Sequence, residues 1–264
     1  MINLLKGILV GISSVVPGFS GSALLVILGL YENTIDAIGT LFKNLKKNIL
    51  FLTPIFAGFV IGILLFSNII DFLLTNYEKY TRYAFLGLVI GTIPLFKKEV
   101  VKHGFDKKYL IPMFIAFLIG LTLIIFQNSL FPQVTDPTVF QSIFLGFVLA
   151  SSMIIPGVAS ATILSTFGLY ELYISSVANM ELDILLPAAI GAIVGVFLVS
   201  IIIRKLLKKH YTLTFSVLFG LFISIIPSVL NESSVLGLNL SSFISIIIMI
   251  LGFLVSYGLG RLKK

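Results

Sequence analysis

The sequence has no cysteine, two histidines, three arginines and only 11% charged residues. Each shortage excludes something. Without cysteine there is no disulfide and no thiolate metal site, and the redox compartment leaves no trace. His103 and His210 both sit in lysine-rich loops and read as solvated loop residues rather than ligands or bases, so no metal or cofactor is expected. Soluble domains carry about 25% charged residues. A chain with less than half of that, 58% hydrophobic residues and a mean hydropathy of +1.13 belongs in a membrane.

Its apolar stretches are of helical length and are separated by short polar links, whereas barrel strands would alternate over about ten residues. The expected class is an all-α polytopic membrane protein, with almost nothing left for a soluble domain. The net charge of +7 and pI near 9.5 would suggest nucleic acid in a soluble protein. Here the basic residues flank apolar spans, so they report orientation first, and no nucleic-acid partner is expected.

What the chain does have is one unusual segment written twice. Gly11-Ile-Ser-Ser-Val-Val-Pro-Gly-Phe-Ser-Gly-Ser-Ala23 is matched by Leu149-Ala-Ser-Ser-Met-Ile-Ile-Pro-Gly-Val-Ala-Ser-Ala-Thr162. At an offset of 139, Pro17 and Gly18 fall on Pro156 and Gly157, and Gly29-Leu-Tyr-Glu32 falls on Gly168-Leu-Tyr-Glu171. Further on, at an offset of 133, Pro54, Gly58 and Gly62 match Pro187, Gly191 and Gly195, and Gly87 and Pro94 match Gly220 and Pro227. Two units follow, residues 1–135 and 136–264. The recurrence at 146–171 also rules out a signal peptide at the start of the chain, despite Lys6 and the apolar run after it.

Each unit holds one motif segment, 7–39 or 139–178, and three further apolar stretches: 49–74, 83–96 and 109–126, then 184–203, 212–230 and 241–259. The 83–96 stretch is short for a span of about 20 residues, so it either borrows from residues 80–82 or is covered by neighbours. The motif segments are too long for one straight span and are interrupted by Pro-Gly. If each enters and returns on the same face, with Lys6 cytoplasmic, then 16 of the 18 lysines and arginines fall on the cytoplasmic side and only Lys79 and Arg82 outside. If each crosses once, the division is 10 to 8 and the bias vanishes. The hairpin arrangement is therefore expected. Three spans per unit invert the second copy, giving an inverted repeat of six transmembrane helices plus two opposed re-entrant helical hairpins, both termini cytoplasmic.

An arm of ten residues rises about 15 Å, half of an apolar core of about 30 Å, so two opposed tips meet near the midplane. Non-helical backbone is tolerated there only against protein or a polar cavity. Proline and glycine open the helix, and each return arm begins a new helix whose free amides and partial positive charge favour anions. The Ser20, Ser22, Ser160 and Thr162 hydroxyls add donors, with Ser14 and Ser152 secondary. One such motif would read as a kink with small residues for close packing; two with the same spacing favour a site made of Pro17, Gly18, Ser20, Gly21, Ser22, Pro156, Gly157, Ser160 and Thr162. Glu32 and Glu171, fourteen residues beyond Gly18 and Gly157 or about 21 Å of helix, either take a coupling ion (proton or sodium) or mark where the return arms emerge. Tyr31 and Tyr170 read as interfacial anchors.

With Val16-Pro-Gly-Phe-Ser-Gly-Ser22 and Met153-Ile-Ile-Pro-Gly-Val158 each leading to Gly-Leu-Tyr, the whole chain resembles the bacterial polyprenyl-phosphate (undecaprenyl-phosphate) translocase family, PopT type. The resemblance implies flipping of undecaprenyl phosphate from the outer to the cytoplasmic leaflet of the bacterial plasma membrane, in the recycling of the carrier for cell-wall precursors. The family often has Ala-Asn or Ala-Asp where this chain has Ser13-Ser14, and Ser-Gly-Ser where it has Ala159-Ser160-Ala161, which puts Ser20, Gly21 and Ser22 ahead of the second tip as headgroup contacts. A small-anion channel or carrier would use the same helix ends. A lipid phosphatase would need a nucleophile, its base and clamping arginines, and none of the three arginines lies deep in a span, so a transporter rather than an enzyme is expected.

Overall fold

Uninterrupted apolar runs make long helices, and short helices end at Gly29-Leu30 and Gly168-Leu169. The structure is a computed structural model and describes residues 2–15, 20–126, 131–230 and 240–259; Pro17, Gly18, Glu232, Arg261, Lys263 and Lys264 lie outside them. Every regular element among the described residues is helical. In the first half these are α1 (Ile2–Val15), α2 (Gly21–Ile27), α3 (Tyr31–Gly39), α4 (Leu45–Asn76), α5 (Glu78–Val101) and α6 (Leu110–Ile125), the last entered through a 3-10 turn, Lys107–Tyr109. The second half has α7 (Val139–Ile154), α8 (Ser160–Thr166), α9 (Tyr170–Ala178), α10 (Leu182–Lys209), α11 (Tyr211–Ser224), α12 (Ile226–Val229) and α13 (Leu240–Leu259).

Among the described residues, five helical stretches are long and apolar enough to cross a membrane: α4, α6 with its 3-10 turn, α10, α11 with α12, and α13. A sixth is reached only if α2 and α3 count as one span bent by 114°. α5 has 24 residues, about 36 Å, but charged residues at both ends confine its apolar part to 83–96. Val89, Thr92 and Phe96 on it are wholly buried, so the short stretch both extends into its flanks and is covered by neighbours.

Helix pairing follows the glycines. Gly7 and Gly11 on α1 meet Gly58 and Gly62 on α4, and a methyl added at any of them would strike a backbone carbonyl of the partner helix. Spacing of four puts both glycines of a helix on one face, letting backbones approach. The same pairing recurs between α7 and α10 through Gly146 and Gly191, and α5 packs on α13 as α11 packs on α6. Between lipid-facing helices apolar burial adds little, so cohesion comes from this close van der Waals contact.

The centre is aromatic. Phe215, Phe219 and Phe222 repeat at helical spacing on α11 and surround Phe96 of α5, with ring centroids 6.1, 5.5 and 5.3 Å away. Such pairs add about 0.5–1.5 kcal/mol each beyond burial.

Gly21 lies against Ser14 and Val10 of α1, and the Lys6 ammonium donates to the Leu28 carbonyl at 3.2 Å, so α2 runs back along α1. The expected straight return arm does not form. α2 ends after seven residues because Gly29, at φ 67°, takes the left-handed conformation that closes a helix. The Leu30 amide then donates to Leu25 O (2.9 Å) and the Gly29 amide to Val26 O (3.1 Å), a Schellman closure. Gly168, at φ 66°, ends α8 in the same way, with Leu169 bonded to Leu164 O. The repeated Gly-Leu-Tyr-Glu is thus a helix stop followed by a new helix start, and Glu32 does not stand 21 Å along a straight arm. Tyr31 also departs from the anchor reading: α3 turns inward and buries it against Phe215, while Tyr170 stays 38% exposed.

Polar contacts tie elements together: Lys6 donates to Leu28 O, Lys102 pairs with Glu32 and Arg204 with Asp36 (2.7 Å); Arg82 bonds Glu78 and Val229 O, Lys79 bonds Ser242, and Gln133 bonds Glu171.

Candidate functional site

Both motif segments border one cavity of about 720 Å³. From the first come Ser14, Ser20, Gly21 and Ser22; from the second, Met153, Val158, Ser160 and Ala161. Residues 139 apart in sequence therefore converge in space, at the beginnings of α2 and α8.

Local geometry accounts for the polar wall. Ser20 takes the N-cap of α2 with extended backbone, but its hydroxyl does not cap; it pairs with Ser22 at 2.6 Å. α8 begins after Ala159, which has no hydroxyl to offer, so neither short helix has a side-chain cap. The first amides of a helix lack intrahelical partners, so both starts leave N–H donors beside the serines. The Ser152 and Ser160 hydroxyls lie 2.9 Å apart, and Ser152 and Ser14 donate back to Leu149 O and Val10 O within their own helices, which leaves the Ser160 hydrogen for Ser152. A side chain at Gly21 would collide with the Ser14 hydroxyl.

The other sequence-derived residues stand behind this wall. Pro156 is wholly buried, and Gly157, at φ 84°, lies so close to the Phe222 backbone of α11 that a Cβ would overlap it. Thr162 does not line the cavity; its carbonyl accepts from Thr166 at 2.7 Å. Glu171 accepts from Gln133 at 2.9 Å, also away from the cavity.

Apolar side chains complete the lining, among them Leu52, Ile55, Phe56 and Phe59 of α4 and Ile174 of α9. Phe56 is 67% exposed, Met153 47% and Ile174 47%. None of the described residues lining the cavity carries a formal charge. An anion held here would rest on amides and hydroxyls alone.

Sequence reasoning missed Thr34 and Tyr173, which line the cavity from α3 and α9. They are also separated by 139, so the repeat itself carried the signal. Thr34 is buried, and its hydroxyl oxygen has no hydrogen-bond partner among the described residues.

A second polar site lies beyond α2, beside a cavity of about 40 Å³ lined by Val26, Gly29, Tyr31, Glu32, Glu99, Lys102 and Phe215. Lys102 pairs with Glu32 at 2.8 Å and Glu99 at 3.3 Å, and the Tyr211 hydroxyl lies 2.8 Å from Glu32 and 2.9 Å from Glu99. Partial burial opposes the Lys102 charge, but the two carboxylates outweigh it and hold the ammonium above the usual lysine range. Lys102 had carried only orientation information in the sequence, and Glu99 and Tyr211 none. Their partners lie up to 179 residues away, and no local pattern marks them.

Comparison with known proteins follows this geometry. The sequence matches the family described as undecaprenyl phosphate translocase-like over residues 1–107 and 48–243. It is 30% identical over 275 residues to a Staphylococcus aureus protein named polyprenyl-phosphate transporter, covering 99% of this chain and 96% of that relative. A Vibrio cholerae protein of the same name is 26% identical over 239 residues, covering 85% of this chain and 76% of that relative. No solved structure matches the chain. With the family match and the relatives both running through most of the sequence, this chain belongs to the undecaprenyl phosphate translocase-like family.

Proposed function

We propose that this protein is a transporter, not an enzyme, and that it flips undecaprenyl phosphate from the outer to the cytoplasmic leaflet of the bacterial plasma membrane, returning the carrier for cell-wall precursors. The observation that carries this reading is the mixed lining of the cavity: donors from Ser20, Ser22, Ser160 and two helix starts together with the apolar side chains of Leu52, Phe56 and Ile174, of which Phe56 and Ile174 are well exposed. A lipid phosphate has both chemistries in one molecule. A small anion would use only the polar groups, and the apolar lining favours the lipid over the small-anion carrier. The names of the relatives agree.

The proposed architecture is the inverted repeat, units 1–135 and 136–264, with hairpins 7–39 and 139–178 re-entering from opposite faces. Supporting it are the matched pairings of α1 with α4 and α7 with α10, and the return of Leu28 to Lys6. Lys102 and Arg204, which the basic-residue bias puts on the cytoplasmic side, pair with Glu32 and Asp36, while Lys79 and Arg82, expected outside, bond Ser242 and Glu78. Rocking of the halves about the paired tips would expose the headgroup to each leaflet in turn.

Donors at the polar wall bind the phosphate without burying a formal cation, so the headgroup is held loosely enough to leave. The test is transbilayer movement of labelled undecaprenyl phosphate in proteoliposomes. Wild type should accelerate it; Ser20→Ala/Ser22→Ala should slow it at least tenfold, corresponding to the loss of about 1.5 kcal/mol of charge-assisted hydrogen bonding, and Gly21→Leu should stop it. Folded wild-type protein that moves chloride or a carboxylate but no lipid would transfer the assignment to a small-anion carrier.

A further inference from the structure

The four groups around the small cavity have one hydrogen too few. The Tyr211 hydroxyl has a single hydrogen, yet its oxygen is 2.8 Å from Glu32 Oε1 and 2.9 Å from Glu99 Oε2. Lys102 Nζ is 2.8 Å from Glu32 Oε1, 3.3 Å from Glu99 Oε2 and 3.2 Å from the Tyr211 oxygen, so its three hydrogens are all placed. If both carboxyls are ionised, one of the two short contacts to Tyr211 sets lone pair against lone pair. One added proton resolves it: a carboxylic acid donates to the Tyr211 oxygen, which donates to the other carboxylate and accepts from Lys102. The site then passes from a net charge of −1 to zero. The Glu99 side chain is only 8% exposed, where an excess charge is costly.

We propose that Glu32, Glu99 and Tyr211 form a proton-binding site beside Lys102, and that its occupancy is coupled to the headgroup site at Ser20 and Ser22. A metal cation does not fit, because the Lys102 ammonium already occupies the position between the carboxylates. The titratable groups at the site are Glu32 from α3, Glu99 from α5, Lys102 and His103 just after it, and Tyr211 from α11, with the His103 ring edge-on to Tyr211 at 4.4 Å; Tyr31 of α3 also lines the cavity, with its hydroxyl on Ile154 O, and Lys6 of α1 is held on Leu28 O beside the Gly29 turn. The link to the large cavity is α2. Its first residues border that cavity, and Val26 and the Gly29 turn border the small one, seven residues or about 10 Å away. Glu32 follows that turn directly, so releasing or holding it shifts the end of the helix whose start presents the serines. This coupling rests on the proposed headgroup reading; the proton site itself does not.

Infrared difference spectroscopy of the purified full-length protein across pH tests the site. Wild type should show the carbonyl stretch of a protonated carboxylic acid that disappears as pH rises, Glu99→Gln should lack it, and Tyr211→Phe, which removes only the hydroxyl, should shift it. His103→Asn should leave it in place. Absence of the band in wild type, or its persistence unchanged in both Glu99→Gln and Tyr211→Phe, overturns the proton site. Binding of a short-chain polyprenyl phosphate tests the coupling. The probe's own second ionisation, at about pH 6, is common to all variants. The ratio of wild-type to Glu99→Gln affinity should therefore change by up to about tenfold per pH unit where the band titrates, and a constant ratio overturns the coupling. A probe that binds at no pH removes the headgroup reading and the coupling with it, while the band still decides the proton site.

Discussion

The Tyr31 hydroxyl donates to the carbonyl oxygen of Ile154, 3.3 Å away and 123 residues along the chain. Ile154 ends α7 just before Pro156, where a terminal carbonyl has lost its helical partner. A residue of the first motif segment thus satisfies the turn of the second. Tyr31→Phe should keep the edge contact with Phe215 and lose about 1 kcal/mol, lowering the unfolding midpoint by about 2–4 °C. Tyr31→Ala should lose about 3–5 kcal/mol, as for other large buried side chains. Thermal unfolding in detergent measures both, and a Tyr31→Phe variant as stable as wild type would remove the hydrogen bond from this account.

Gly157 combines a left-handed backbone with a contact to Phe222 that leaves no room for a Cβ. Left-handed conformation alone costs a side-chain-bearing residue about 1–3 kcal/mol, and overlap with helix backbone adds to it. Gly157→Ala should reduce folded yield sharply, whereas Ala161→Gly, at an exposed position on the cavity, should not. Comparing monodisperse fractions by size-exclusion chromatography decides it, and equal yields would show that α11 gives way.

Lys102 sets the alkaline limit of its cluster. Its pKa is raised in the folded protein above the ordinary 10.5, so its contribution is complete below that value and is lost as pH rises through the higher folded one. The stability difference between wild type and Lys102→Met should persist through neutral and mildly alkaline pH and shrink above about pH 10.5. Denaturation followed against pH tests this; a difference that already fades at neutral pH would mean that the lysine is not held by Glu32 and Glu99.

Phe56 and Ile174 are exposed beside the cavity, so changing them costs little packing. If the prenyl tail leaves the cavity here, Ile174→Trp should narrow the exit and slow movement of a long-chain polyprenyl phosphate several-fold, with less effect on a short-chain one. Proteoliposome assays with the two lipids give the ratio. Equal slowing of both would place the tail elsewhere.

Much of this protein is local and was legible in the sequence. Apolar runs specify helices in a bilayer because every backbone group must be satisfied within the segment, and stretches expected at 184–203 and 241–259 lie within α10 and α13. Of the repeated serines, Ser14, Ser20, Ser22 and Ser160 line the large cavity. The break at Gly29 was also local, since Gly-Leu is the chemistry of a Schellman stop, but the repeat drew it as a continuing arm.

What only the tertiary structure decided is proximity at long separation. Glu32, Glu99, Lys102 and Tyr211 meet because α3 turns by 114° from α2 toward the ends of α5 and α11. The apolar wall at Phe56 and Ile174 likewise exists only because α4 and α9 border the same space. Hydropathy and helix stops belong to neighbouring residues, so the sequence by itself determined the helices and where they end. The distances between charges and the shape of a cavity depend on how the helices pack, and α1 to α13 acquire those only in the assembled bundle.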